Sequence, residues 1–400
     1  MDLEVLRELA TDGGKIILLV LDGLGDLPSA GGPPAALEAA HTPQFDALAA
    51  SGTCGLHEPV GPGITPGSGP GHLGLFGYDP LRYRVGRGVL TALGIDFPLQ
   101  DEDVAARGNF CTLDGDTVRD RRAGRISTEK CQELCEQLRG IEIEGVEIHI
   151  EPVREHRFLL VLRGEGLHPA LGDTDPHSTG VKLAPAEARD TGARNTADLV
   201  DRFVAEARKR LAAEEQANGV LLRGFARRPT IPALPDITGM RCKAIAAYPM
   251  YQGVARLLGM EVVPVEDTLE AEWKALHRAW DGADFFFVHI KQTDSFGEDG
   301  DFDAKRGLIE EVDRRLPELL ALEPDVLVVT GDHSTPAALG GHSWHPVPVL
   351  LHATATARLD PVGRFTADAC LGGGLGPRFP ATDLLPLAMA HAGRLEKFGA

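Results

Sequence analysis

Three short apolar runs, IILLVL (16–21), FFFVHI (285–290) and DVLVVT (325–330), are followed by acids, Asp22 at once, Asp294 after Lys291-Gln292-Thr293, and Asp332 after Gly331. At six residues each they are far too short to span a membrane, and they lack polar alternation. They therefore read as strands buried on both faces of a sheet. LLVL (159–162), GVLL (219–222) and KAIAAY (243–248) read the same way. Helical patterns alternate with them. Thr42 and Pro43 supply an N-cap and N1 pair for a helix that stops at Gly52. Residues 195–217 form a long amphipathic helix closed by Asn218-Gly219, and 267–280 and 303–320 form two more. This alternation predicts a mainly parallel α/β sheet.

The stretch 106–187 departs from that pattern. It holds an LDGDTV turn, an arginine run, one helix near 128–139, and the period-2 segment IEIEGVEIHIEPV. It reads as a compact α+β module inserted into the α/β domain. Length agrees: 400 residues exceed one average domain.

Charge narrows the partners. The 59 acids outweigh 40 bases for a net −19, which argues against nucleic acid or an anionic membrane as a partner of the general surface. An anionic substrate needs a local basic site. Six cysteines occur without a CxxC pair and read as small buried side chains, including Cys131 and Cys135 on one helix face; this usage fits the cytoplasm. The acidic N-terminal segment has no basic region of the targeting type.

The acids after the runs carry the functional signal. Asp22, Asp294 and Asp332 follow the three strands, with His333 beside the last. Carboxyl ends of parallel strands share one sheet edge, where open α/β proteins bind ligands. Acids after strands are also ordinary helix caps, but three together with a histidine point to a divalent cation that offsets their repulsion. His333, His342 and His345 fall in one short segment. An Asp and His set suits Mn²⁺ or Zn²⁺, and Mg²⁺ where oxygen dominates. Glu298 follows Asp294 at helical spacing and reads either as a ligand or as a first-turn helix acid.

Residues 61–80, GPGITPGSGPGHLGLFGYDP, set Ser68 between glycines before an apolar helical segment. Alone this is an ordinary loop. Beside a metal, the serine is a candidate nucleophile whose pKa the cation lowers. The pattern is neither a P-loop nor GxSxG.

LDGLGD (21–26), TPGSGPGHLGLFGYDP (65–80), HIKQTDSFGEDGD (289–301) and TGDHSTP…HSWHPVPVLL (330–351) resemble the archaeal-type cofactor-independent phosphoglycerate mutases of the alkaline phosphatase superfamily. RGNF (107–110), DRRAGR (120–125), RGEGL…DTDPH (163–177) and LLRG (221–224) match as well, so the resemblance covers nearly the whole chain. It implies an alkaline-phosphatase-like, mainly parallel sheet with helices on both faces. The phosphatase-like domain would comprise 1–105 and 188–400, and an inserted transferase domain 106–187. It implies conversion of 3-phosphoglycerate to 2-phosphoglycerate through a phosphoserine on Ser68, with two divalent ions and no 2,3-bisphosphoglycerate. One ion would be held by Asp22, Ser68, Asp332 and His333, the other by Asp294, Glu298 and His342. Two departures stand out: Glu298 occupies a position where the family usually has histidine, and His345 one where it has aspartate. The first tilts the preference toward Mn²⁺ or Mg²⁺, with Zn²⁺ the third candidate; His345 reads as a substitute ligand or a rim residue.

The resemblance also implies that Asp120, Arg121, Arg163 and Arg223 contact the small phosphorylated acid. Bidentate arginine is well suited to its carboxylate. His177 reads equally as a proton relay or a loop residue, and Lys291 as a stabiliser of transferred charge. A transferase domain closing on the phosphatase domain would exclude water. The alternatives are a related phosphatase, a homoserine-type phosphotransferase on the same scaffold, or a non-catalytic binding member.

Overall fold

The computed structural model describes residues 1–27 and 34–399. Its strands among the described residues are β1 Ile16–Leu21, β2 Thr53–Glu58, β3 Val104–Asp114, β4 Thr117–Asp120, β5 Glu147–Arg154, β6 Arg157–Arg163, β7 Gly219–Ala226, β8 Cys242–Ala246, β9 Glu261–Val263, β10 Phe285–Ile290, β11 Val326–Thr330, β12 Val347–His352 and β13 Gly376–Pro380. The chain divides into two compact units, Met1–Arg84 with Ile231–Ala400, and Val85–Thr230.

The first unit is built on an eight-stranded sheet in the order β13-β2-β12-β11-β1-β10-β8-β9. Only β12 runs against its neighbours; the other pairs are parallel, as the alternating pattern predicts. All six residues of β1 and of β10 are buried, which explains why only His289 interrupts their apolar sequence. One face of β1, Ile17, Leu19 and Leu21, belongs to a core with Trp273 and Leu276 of helix Leu269–Ala279 and Ile309 and Val312 of helix Phe302–Leu320. On the other face, Phe76 at the end of helix Ser68–Leu75 meets Phe285 and Phe287 edge-on, at 6.3 and 5.0 Å. Helices thus cover both faces. Each such large apolar side chain contributes about 1.5–3 kcal/mol by burial. Register sets Leu21 beside Ile290 and Val20 beside Thr330, so β11, β1 and β10 end together.

Helix Pro43–Ala50 has Pro43 at its first position, but the Thr42 hydroxyl makes no capping bond. Helix Phe302–Leu320 is capped by Asp301, which accepts from the Ala304 N–H at 3.0 Å.

The second unit is wider than the expected insert of 106–187. β6 and β7 are not members of the parallel sheet. They flank β3, both antiparallel to it, in a five-stranded sheet with β4 and β5. Helix Arg87–Gly94 lies so close to β3 that a Cβ on Gly88 would come within 2.1 Å of the Ala105 carbonyl oxygen. Residues on both sides of the expected boundaries therefore pack into this unit. Its core joins Phe110, Phe158 and Leu160 of the sheet to Leu134 of helix Thr128–Arg139 and Phe203 of helix Arg194–Arg210.

That long helix stops at Arg210, short of the predicted 217. The chain must leave it because the Asn218 side chain bonds to both the N–H and the carbonyl of Leu113, at 2.7 and 2.9 Å, and starts β7 beside β3. The period-2 segment forms a strand only over Glu147–Arg154, since Gly145 turns the chain with φ +88°. All six cysteines are free and buried, as expected. Among the described residues, no helix is long and apolar enough to cross a membrane.

Candidate active site and metal centre

The common end of β11, β1 and β10 collects the predicted acids. Asp22, Asp294, Asp332 and His333 are all essentially out of solvent. Helix Ser68–Leu75 begins with Ser68, following Gly67 as N-cap. The Ser68 Oγ lies 3.2 Å from His333 Nε2. This approach depends on Gly71, where a Cβ would stand 2.3 Å from the Asp332 carbonyl oxygen. Gly23, at φ +64°, lets the chain turn after Asp22, and its N–H donates to Asp332 Oδ1 at 3.1 Å.

Two sets of ligand atoms lie within 4.8 Å of one another: Asp22, Asp332 and His333, and Asp294, His333 and His342. His333 belongs to both. Its Nε2 is 3.3 Å from Asp22 Oδ1 and 3.2 Å from Asp332 Oδ2, yet neither oxygen receives a hydrogen bond. Buried carboxylate oxygens without donors are costly unless a cation meets them. The donor set of carboxylate, imidazole and hydroxyl fits a divalent metal.

Glu298 stands at the edge: its side chain is half exposed, and its Oε1 is 3.8 Å from His342 Nε2, outside both compact groups. His342 bonds through Nδ1 to the Pro66 carbonyl at 2.9 Å, which leaves Nε2 facing Asp294 Oδ1 at 3.4 Å. His345 is in neither group; it contacts Ser343 and stacks on the exposed Trp344, a rim position.

The charges balance around these acids. Burial pushes the Asp22 carboxyl up, but Lys291, His289 and His333 outweigh it and hold it well below the ordinary range. Burial and Asp22 push Asp294 up as well, yet His342, Lys291 and His333 hold it at about 2. His342 is raised to about 9 because the bond to Asp294 overcomes its burial. Burial lowers His333 despite three neighbouring carboxylates. Lys291 pairs with Asp294 and lies 3.5 Å from Asp22 Oδ2.

Several contributors were not foreseen. His72 Nδ1 faces Asp332 Oδ2 at 3.1 Å and the Ser68 carbonyl at 2.8 Å. Its place four residues after Ser68, one helical turn away, was a readable signal. The Tyr251 hydroxyl bonds to Asp22, and its ring stacks on His289, whose Nε2 is 3.2 Å from Asp22 Oδ2. Nothing local in the sequence marks Tyr251. Thr335 bonds to Asp294 and His333, and the buried Lys305 ammonium donates to the carbonyls of Gly23, Gly25 and Thr335.

The second unit has its own basic cluster. Arg121 grips the buried Asp175 with two bonds, at 2.8 and 2.7 Å, and Arg223 Nε lies 3.4 Å from the same carboxylate. His177, at φ +60°, donates its N–H to Asp175 and faces Asp173 at 3.2 Å. The Asp120 carboxylate accepts from the N–H groups of Arg122 and Gly124, bracing the loop that presents Arg121. Desolvation, then the neighbouring Arg87 charge, lower Arg223. Arg163 is engaged elsewhere: it forks onto buried Asp103 at 2.8 and 2.7 Å.

Known proteins share this chain's whole length. The family model for 2,3-bisphosphoglycerate-independent phosphoglycerate mutase matches residues 49–217. A probable 2,3-bisphosphoglycerate-independent phosphoglycerate mutase of Thermus thermophilus is 51% identical over 408 residues, covering 100% of both chains. One of Thermotoga neapolitana is 49% identical, covering 99% of this chain and 98% of its own. Among solved structures, a Pyrococcus horikoshii protein aligns with TM-score 0.83 at 30% identity, covering 98% of this chain and 100% of its own. The cofactor-independent phosphoglycerate mutase of Thermoplasma acidophilum aligns with TM-score 0.66 at 28% identity, over 95% of this chain and 100% of its own. With sequence agreement of this depth running from end to end, the chain belongs to the 2,3-bisphosphoglycerate-independent phosphoglycerate mutase family.

Proposed function

We propose that this protein interconverts 3-phosphoglycerate and 2-phosphoglycerate without 2,3-bisphosphoglycerate, through transfer of the phosphoryl group to Ser68 and back to glycerate. The observation that carries this reading is the Ser68 hydroxyl at a helix start, 3.2 Å from His333 Nε2 and beside two converging acid groups. Divalent ions bound there would lower the pKa of the serine hydroxyl and offset charge on the phosphoryl oxygens. Asp22, Asp332 and His333, with Ser68, would hold one ion, and Asp294, His342 and Glu298 the other. Glu298 in place of a neutral imidazole makes that set richer in oxygen and favours Mn²⁺ or Mg²⁺ over Zn²⁺.

The chain's own residues do the remaining work. Ser68 Oγ loses its proton and attacks phosphorus as the bond between phosphorus and the departing glycerate oxygen breaks and that oxygen takes up a proton. The other glycerate hydroxyl then loses its proton and attacks the phosphoserine, breaking the Ser68 Oγ–phosphorus bond and returning a proton to Ser68. Lys291 supplies fixed positive charge next to Asp22 and Asp294. Arg121 and Arg223 hold the glycerate carboxylate, with Asp120 bracing the loop and His177 at its margin. Arg163 supports that unit through Asp103. Free, buried cysteines suit a cytoplasmic setting.

The test is to incubate the protein with 3-phosphoglycerate and Mn²⁺, omitting bisphosphoglycerate. The expected product is 2-phosphoglycerate, with formation lost in Ser68→Ala. Free phosphate as the sole product would favour a phosphatase instead.

A further inference from the structure

Thr335 follows His333 by two residues and is fully buried. Its hydroxyl oxygen is 2.6 Å from Asp294 Oδ1 and 2.9 Å from His333 Nδ1. A hydroxyl has one proton to give, and an aspartate that ligates a cation is a carboxylate that can only accept. The Thr335 proton is therefore donated to Asp294, and the hydroxyl lone pair accepts from a protonated His333 Nδ1. The other ring nitrogen, Nε2, is left bare. That nitrogen faces Ser68 Oγ and Asp332 Oδ2 at 3.2 Å each and Asp22 Oδ1 at 3.3 Å.

The surroundings hold Thr335 tightly. Its N–H donates to the Gly25 carbonyl at 2.9 Å, and its own carbonyl accepts from Lys305 Nζ at 2.9 Å. Lys305 is itself buried and reaches the Gly23 carbonyl at 3.0 Å and Asp26 Oδ2 at 3.2 Å. Two glycines leave the space: a Cβ on Gly23 would stand 2.5 Å from the Thr335 Oγ1, and one on Gly297 2.4 Å from its carbonyl oxygen. The loops after β1 and β11 and the helix Gln292–Glu298 thus all close on this one residue.

We propose that Thr335 is a positioning residue that sets His333 as the Nδ1–H tautomer and orients Asp294, so that one hydroxyl prepares a ligand atom in each of the two groups. The inference rests on the metal-binding reading given above. A valine in this place keeps the shape and removes the hydroxyl; a serine keeps the hydroxyl.

The experiment uses metal-free full-length protein as wild type, Thr335→Val and Thr335→Ser. Mn²⁺ affinity is measured by electron paramagnetic resonance titration without substrate, and the imidazole tautomer by ¹⁵N-histidine NMR. Loss of such a partner costs about 10–100-fold in metal affinity. That loss is expected in Thr335→Val, with growth of the Nε2–H form of His333, while Thr335→Ser stays close to wild type. A wild type that takes up no Mn²⁺ overturns the metal reading beneath the proposal. A wild type that binds Mn²⁺, with Thr335→Val matching it in affinity and tautomer, overturns the proposal alone. Should Thr335→Val not fold, the wild-type spectrum decides: an Nδ1–H His333 supports the proposal and an Nε2–H His333 overturns it.

Discussion

Arg163 and Arg121 look alike in sequence, each an arginine in a segment matching the same family, but they have different partners. Arg163 neutralises Asp103, which is almost wholly buried. Removing the partly exposed arginine leaves the buried Asp103 carboxylate held by the Gln100 N–H, and loss of such a charged hydrogen bond costs about 1.5–3 kcal/mol. Arg163→Ala is therefore expected to lower the melting temperature well below that of the wild type, with KM for 3-phosphoglycerate little changed in the folded fraction; a raised KM at unchanged stability would return Arg163 to the substrate. A second residue bears on pH. Glu272 is buried, its Oε2 has no hydrogen-bond partner, and burial, with Asp267 nearby, pushes its carboxyl up to about 9. A raised folded pKa means that its contribution is most favourable below the unfolded value of about 4.3 and is lost as pH rises toward the folded one. At pH 7 the cost has a ceiling of about 4 kcal/mol. Glu272→Gln is expected to melt higher than wild type at pH 8 and to show a flatter dependence between pH 5 and 9; parallel curves for the two proteins would contradict this.

Single elements explain why some of the site was legible in the sequence and some was not. β1, β10 and β11 are buried along their whole length and almost wholly apolar because both faces are covered, so the acids after them stood out. Asp22, Asp294 and Asp332 could be read from chain position alone. Tyr251 could not, because it enters from helix Pro249–Leu257 and only the fold brings it to Asp22. Thr335 and Lys305 likewise act through tertiary contacts with backbone carbonyls or with residues distant in sequence. β7 misled because an apolar run such as GVLL is equally compatible with a parallel or an antiparallel sheet core. Helix Ser68–Leu75 carries its own test. Helix propensity favours alanine over glycine by about 1 kcal/mol. At Gly71, however, the added Cβ would stand 2.3 Å from the Asp332 backbone. Overpacking of that kind costs about 1–3 kcal/mol. Gly71→Ala is expected to lose both stability and most mutase turnover, since Ser68 must shift with its helix; a variant that melts higher and turns over normally would show that the close approach is unimportant.

The molecule as a whole joins two units with different chemistry. The first gathers carboxylates and imidazoles at one sheet edge. The second gathers Arg121 and Arg223 around Asp175, a local basic cluster in a chain of net charge −19. Such a cluster suits capture of a small anion that the general surface field opposes. The presence of a second unit was legible in outline, since the arginine run and the period-2 segment set the insert apart. Its limits were not, because helix Arg87–Gly94 and β7 join the second unit through packing on β3 that no local pattern announces. In the proposed function Ser68 Oγ is the atom that carries the phosphoryl group. Rapid quenching of the Mn²⁺-loaded protein with 3-phosphoglycerate, followed by peptide mass spectrometry, tests this directly. Phosphate is expected on the peptide containing Ser68, appearing no later than 2-phosphoglycerate; 2-phosphoglycerate formed at an undiminished rate by Ser68→Ala would contradict it.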